Sequence, residues 1–332
     1  MPTFQQLALC VDDGLQTQTN MMLRIGEHFS TDNNVSLYNG RCEDFLGEVA
    51  TGQIQLVVTS PPYNIGKKYE RARKLSVEQY IEGQREVIKL CAERLSPSGS
   101  ICWQVGNHVA DNALYPIDIM LYPIFRDLGL VLRNRIIWHF EHGLHCSRRL
   151  SGRYETIMWF TRPGNDYVFN LDEIRVPQKY PGKKYYKGPK AGHYSANPLG
   201  KNPGDLWVIP NVKHNHVEKT VHPCQFPVEL VERLVLALTN PNDLVLDPYM
   251  GVGSAAVASI LHKRRAAGAD IVPQYVEAAR ERVTAAAQGM LRTRPRNKAV
   301  YTPQGRIVIA PWRRDDGRSP ALPLETGADG QM

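Results

Sequence analysis

The sequence predicts an α/β fold, on three observations. Strand and helix patterns alternate along most of its 332 residues. One apolar strand, Ile54 to Val58, runs into Thr59-Ser60-Pro61-Pro62-Tyr63-Asn64. Another, from Leu244, runs through Asp247-Pro248-Tyr249-Met250-Gly251-Val252-Gly253-Ser254 into a helical stretch, Ala255 to Leu261. Short, unbroken apolar runs bounded by turn residues are what a sheet covered on both faces requires.

The elements follow in order. Residues 1–34 form an N-terminal extension without a motif, where Asn20 to Phe29 predicts a short helix. Residues 35–160 predict a strand at 54–58, a helix at 76–95, a strand at 100–105, a helix at 116–128 and strands at 131–138 and 154–160. In the helix at 76–95, Val77, Ile81, Val87, Ile88, Cys91 and Leu95 fall roughly on one face. Residues 161–220 break the rhythm with Pro, Gly, Lys and Tyr. Residues 221–292 return to helix–strand–helix–strand–helix. Residues 293–332, rich in Pro, Gly and Arg, predict a largely mobile tail with a strand-like patch at Arg306 to Pro311.

Two prolines after a strand fix φ and bar helix at the residue before each, so the Ser60-Pro61-Pro62 loop is rigid at the carboxyl edge of the sheet. It offers carbonyls beside the Tyr63 ring, the groups that hold a planar base by its exocyclic amine and stack on its face. At the second strand, a Gly-x-Gly turn lets backbone N–H groups approach a ligand, and the helix behind it favours an anion. The following strand, Ala266 to Ile271, ends near Asp270, which lies 17 residues after Gly253 and suits ribose hydroxyls. The unit reads as an adenosine half-site. It lacks the third glycine of the dinucleotide fingerprint, which argues against NAD.

Within the irregular segment, Gln178 to Lys190 holds five lysines and three tyrosines but no acid. Lysines neutralise phosphates and interleaved tyrosines stack or hydrogen-bond along a strand. Lys179, Lys183, Lys184, Tyr185, Lys187, Lys190 and, beyond the run, Lys201 are the candidate DNA contacts. His193, Tyr194, Asn197, Asn202 and Asn211 are candidates for base readout.

Thr59 to Asn64 together with Asp247 to Ser254 resembles the DNA amino-methyltransferases, which use S-adenosylmethionine. Arg94 to Ser100 resembles the family's LKPGG turn, Gly200 to Trp207 its GKxPGDxW segment, and His222 to Pro227 its HPxxxP start. The resemblance covers about residues 35 to 290. With the catalytic motif first and the cofactor motif last, the order matches the circularly permuted β class of restriction-modification enzymes. It implies a Rossmann-like methyltransferase fold in which 35–160 is the catalytic half, 161–220 a target-recognition insertion and 221–292 the cofactor half. Ser60, Pro61, Pro62 and Tyr63 are then catalytic, and Asp247, Pro248, Tyr249, Gly251, Gly253, Ser254, Asp270 and His222 bind S-adenosylmethionine. Double-stranded DNA is the implied partner. A cognate restriction endonuclease and either a monomer or a homodimer are compatible with the family. Ser-Pro-Pro-Tyr is associated mainly with N4 of cytosine and Asp-Pro-Pro-Tyr with N6 of adenine, so cytosine N4 is expected, adenine N6 being the alternative. A methyltransferase of RNA or protein amides, or a DNA-binding protein that has lost catalysis, would share parts of the pattern.

Three departures stand out. Gly40-Arg41 replaces the Gly-Asp that often precedes the catalytic strand, leaving Asp44 as the nearby acid. Arg153-Tyr154-Glu155 stands where His-Glu is frequent, and Asp270 where glutamate is usual. Carbon-5 cytosine chemistry is set aside, since its Pro-Cys nucleophile has a counterpart only in Pro223-Cys224, which leads into the cofactor-side helix.

The remaining composition excludes other classes. Six cysteines without paired spacing fit a reduced compartment. The polar start shows no signal peptide and no apolar run is long enough to span a bilayer, so a cytoplasmic bacterial, archaeal or phage enzyme is expected. Net charge +7 suits a polyanionic partner. Two clusters, His139-His142-His145-Cys146 and His214-His216-His222-Cys224, lack Cys-x-x-Cys pairs, so no metal site is expected.

Overall fold

The computed structural model describes residues 23–62, 75–110, 113–141, 143 and 145–300. In chain order these form β1 (Ile25–Gly26), β2 (Val35–Asn39), α1 (Cys42–Glu48), β3 (Ile54–Thr59), α2 (Val77–Arg94), β4 (Leu95–Val105), β5 (Asn107–Ala110), β6 (Ala113–Pro116), α3 (Ile117–Asp127), β7 (Val131–His139), β8 (Tyr154–Thr161), β9 (Leu206–Val208), α4 (Val228–Leu238), β10 (Leu244–Asp247), α5 (Ser254–Leu261), β11 (Arg265–Asp270) and α6 (Pro273–Ala287).

Nine strands make one sheet in the order β1-β2-β11-β10-β3-β4-β8-β7-β9; β5 and β6 form a separate hairpin. All neighbours in the large sheet run parallel except β8, which is antiparallel to both β4 and β7. Helices cover both faces. Leu56, Val58 and Val245 pack into a core with α4, α5 and α6. Val57, Leu244 and Leu246 pack into another with α1, α2 and α3. The central strands β10 and β3 are neighbours whose following helices go to opposite faces. A crevice therefore opens outside their carboxyl ends, where open α/β sheets bind ligands.

The expected helices and strands from 54 to 160 and from 221 to 292 appear within a few residues of their forecast bounds. Ser76 starts α2 with a capping box: its Oγ accepts from Gln79 N at 3.2 Å and its N–H donates to Gln79 Oε1 at 3.0 Å. The Arg94 to Ser100 turn is a register shift at the start of β4, where Ile54 pairs with Leu95 but Leu56 with Ser100.

Other expectations need correction. The described part of Asn20 to Phe29 is not helical: Ile25 and Gly26 pair with Val35 and Ser36 of β2. The irregular segment contributes a strand, β9, parallel to the end of β7. The first residues of the tail are fixed. The nearly buried Arg294 pairs with Glu229 and donates its amide to Glu218 Oε1 at 2.9 Å, while Asn297 N–H donates to Glu229 Oε1 at 2.9 Å. The Arg306 to Pro311 patch lies outside the described residues. Among those residues no helix is long and apolar enough to cross a membrane.

Candidate active site

The crevice holds a cavity of about 260 Å³, lined at one end by Ser60, Pro61 and Pro62 and at the other by Asp270, Ile271, Val272 and Tyr275. Between them lie Asp247 to Val252, Ser254, and the segment His222, Cys224, Gln225 and Phe226. Two motifs almost two hundred residues apart in sequence thus share one space. Adjacent parallel strands cause this: Val245 pairs with Leu56 and Leu246 with Val57, so β3 and β10 end side by side.

Asp247 is buried, 5% exposed. It accepts from Thr59 Oγ1 at 2.6 Å and from Tyr249 N–H at 3.1 Å, both at Oδ1. Burial outweighs these two donors and pushes its carboxyl up to about 7, and nearby Asp270 adds to the rise. Asp270 accepts from Gly251 N–H at 3.1 Å and Val272 N–H at 2.8 Å, and burial raises it as well. The cavity therefore carries two carboxyls raised by burial, each accepting from an amide of the turn that follows it.

The glycines divide the work. Gly251, at φ +51°, lines the cavity and faces His222. Gly253, at φ +73°, does not line it; its amide donates to Met250 O at 2.8 Å, and a Cβ there would stand 2.8 Å from Ala279 Cβ. Its hydrogen atom lets α6 close on α5. Ser254 lines the cavity, but its hydroxyl donates to Phe226 O at 2.8 Å and accepts from Arg282 Nη1 at 3.3 Å. Arg282, nearly buried on α6, also donates to Val252 O and braces the turn from below.

His222 packs edge-on against Tyr275, ring centroids 4.6 Å apart. Its Nδ1 accepts Cys224 N–H at 3.2 Å. Burial, reinforced by Lys219, pushes the imidazole down to about 4, so the ring is neutral near pH 7 and carries its proton on Nε2. Tyr249 lines the cavity with its backbone turn while its hydroxyl accepts from Gln84 Nε2 at 3.2 Å and its ring meets Trp103 edge-on at 6.3 Å. Pro248 completes the turn.

Tyr63, with Asn64, lies outside the described residues, as does His142. In place of the expected acid, Glu43 rather than Asp44 lines the cavity, ion-paired to Arg41. The spacing signal is Gly40-Arg41, and only the turn of α1 reveals which neighbour points inward. Thr59, Gln84 and Arg282 are further contributors without a sequence signal, because each acts through a long-range hydrogen bond.

None of the lysines lines the cavity. Lys179, Lys183, Lys184, Lys187 and Lys190 lie on an exposed loop rooted by the Val176–Lys201 bridge and folded on itself by the Lys184–Tyr194 bridge. Lys179, Lys184 and Lys187 approach the rings of Tyr180, Tyr194 and Tyr186 at 5.5, 5.4 and 5.9 Å, and Tyr185 N–H donates to His193 O at 3.0 Å.

Residues 54–281 match the family model described as DNA methylase. The type II methyltransferase M.BglII of Bacillus subtilis is 50% identical over 244 residues, 73% of this chain and 67% of its own. Among solved structures, the PvuII DNA methyltransferase, described as cytosine-N4-specific, superposes with TM-score 0.60 at 20% identity, covering 78% of this chain and 93% of its own. That likeness bears on the fold. A protein of Thermus thermophilus described as a DNA modification methylase, solved with S-adenosyl-L-methionine, gives TM-score 0.54 at 26% identity, covering 76% of this chain and 94% of its own.

Proposed function

Because the chain belongs to the DNA methylase family, we propose that this DNA amino-methyltransferase is site-specific and methylates the exocyclic N4 amine of cytosine in duplex DNA. S-adenosylmethionine is its cofactor. The observation that carries the proposal is the shared cavity, with Ser60-Pro61-Pro62 at one end and the Asp247–Ser254 turn and Asp270 at the other. The residues suit the cofactor: two carboxyls for a cationic amino acid and ribose hydroxyls, a glycine turn, and apolar walls from Phe226, Ile271 and Val272 for an adenine ring.

Bound S-adenosylmethionine supplies an already activated methyl group, so the protein needs no covalent intermediate. The amine of a base is a poor nucleophile because its lone pair is delocalised into the ring. Ser60 Oγ and the Pro61 carbonyl accept hydrogen bonds from the two amino hydrogens, favouring a pyramidal nitrogen with its lone pair aimed along the transfer line. Tyr63 stacks on the base. Asp247 and the Gly251 turn hold the methionine end, with the neutral His222 donating from Nε2. Asp270 takes the ribose.

A target inside a duplex must be flipped out to reach this cavity. Residues 161–220 serve as the target-recognition insertion. Lys179, Lys183, Lys184, Tyr185, Lys187, Lys190 and Lys201 contact the DNA backbone, which positions the protein without reading sequence. Serine at position 60 supports cytosine over adenine through the resemblance of Ser60-Pro61-Pro62-Tyr63 to the motif associated mainly with N4 methylation. The Ser60→Ala variant tests the assignment. It should bind S-adenosylmethionine as the parent does and lose on the order of 10²-fold in methyl transfer; unchanged turnover removes Ser60 from the mechanism.

A further inference from the structure

The loop between β7 and β8 carries a feature that the reaction at Ser60 does not use. Leu150 is 95% exposed, more than any other large apolar side chain among the described residues. It follows Arg148 and Arg149, both exposed. The loop is a closed prong: Phe140 N–H donates to Arg153 O at 2.8 Å at its root, and Cys146 N–H donates to Ser151 Oγ at 3.0 Å below its tip. An isolated exposed leucine on a flexible tail would mean little. One fixed at the end of a prong between cationic side chains is a different case.

Strand register fixes where the prong stands. Thr59 pairs with Trp103 of β4, Trp103 with Met158 of β8, and Met158 with Arg135 of β7. β7 is parallel to β3 and lies three strands away, about 14 Å to the side. From Arg135 it continues four residues to His139, about 13 Å along its own direction. The prong therefore rises from the same edge of the sheet as the Ser60 loop, about 14 Å to its side.

We propose that Leu150 is the wedge that enters the base stack when the target nucleotide leaves it, with Arg148 and Arg149 on the flanking phosphates. Extrusion of a base leaves an apolar gap one base thick and costs the stacking energy of that step. Leucine is among the side chains that fill such gaps, and its 95% exposure means no protein packing is given up on insertion. Leu150 touches neither cofactor nor target base, so it is a positioning residue. The inference rests on the reading of the chain as a base-flipping DNA methyltransferase.

The test compares the full-length parent and Leu150→Ala on two duplexes carrying the site mapped from methylated plasmid. In one the target is normally paired; in the other it lies opposite an abasic position, so it is unpaired and leaves the helix at lower cost. Leu150→Ala should lower kcat/KM roughly 10- to 100-fold on the paired duplex and stay within about twofold of the parent on the abasic one. S-adenosylmethionine affinity and thermal midpoint should be unchanged. Leu150→Met should recover most of the loss. Equal rates for parent and Leu150→Ala on the paired duplex overturn the proposal while leaving the methyltransferase reading intact. So does an equal loss on both duplexes, or the same selective pattern from Tyr186→Ala instead. A parent inactive on both duplexes removes the reading beneath it.

Discussion

Thr59 Oγ1 donates to Asp247 Oδ1 at 2.6 Å, although the two residues are 188 positions apart. Thr59 is the last residue of β3 and fully buried; Asp247 is the last residue of β10. This bond fixes the Ser60 loop against the turn proposed to hold the cofactor. Thr59→Val keeps the shape and removes the donor. It should cost about 1–3 kcal/mol in denaturant unfolding, the penalty for a buried polar group losing a partner, and weaken S-adenosylmethionine binding by calorimetry. A variant as stable and as tight as the parent contradicts the coupling.

The raised carboxyl of Asp247 should give cofactor binding a pH dependence. Burial raises its carboxyl to about 7, so it is largely protonated in the free protein below that pH. S-adenosylmethionine is cationic at its sulfonium and ammonium, and favours the ionised carboxylate. Below pH 7, binding must expel a proton, so Kd should rise by up to about tenfold per pH unit. Above pH 7 it should level off. Calorimetry from pH 5.5 to 8.5 should show this slope in the parent and a flat profile in Asp247→Asn; equal slopes would assign the proton elsewhere, with Asp270 the next candidate.

Gly253 packs the start of α5 against α6. Its φ of +73° and the 2.8 Å separation between an added Cβ and Ala279 Cβ both oppose a side chain. Gly253→Ala should lower stability by about 1–3 kcal/mol, seen as a fall in thermal midpoint. Ala279→Gly should cost less in the Gly253→Ala background than in the parent, since there it also removes the steric component. Equal costs in the two backgrounds would mean that the contact with α6 is not the cause.

The lysine loop should act through charge. Replacing Lys183, Lys184 and Lys187 together by Gln should weaken DNA binding on every sequence alike. If each meets a phosphate, the slope of log K against log salt should fall by roughly 0.9 per lysine. An unchanged slope places these lysines off the DNA.

Local signals carry much of this architecture. Ile54 to Pro62 and Leu244 to Ser254 combine buried strands with turn chemistry, so their edges and loops are legible residue by residue. The helix from Val77 is marked by its apolar face, and Ser76 with Gln79 closes it. What escapes depends on distant partners. Leu206–Val208 is a strand because Ile137 to His139 lie beside it, and its three residues carry too little pattern of their own. Arg294 looks like part of a loose tail until Glu218 and Glu229 meet it. The acid missing after Gly40 has Asp44 only as a nearby residue out of register, whereas the short helix α1 turns Glu43 into the cavity. Thr59 stands in plain view within its motif, yet its partner is identified only by β3 and β10 being neighbours.

The central claim is tested most directly by the base that becomes methylated. The full chain is incubated with unmethylated plasmid and isotopically labelled S-adenosylmethionine, and the DNA is digested to nucleosides for mass spectrometry. Labelled N4-methylcytosine is the predicted product. Labelled N6-methyladenine would contradict the assignment of cytosine from Ser60, and the absence of both from a protein that still binds the cofactor would contradict duplex DNA as its substrate.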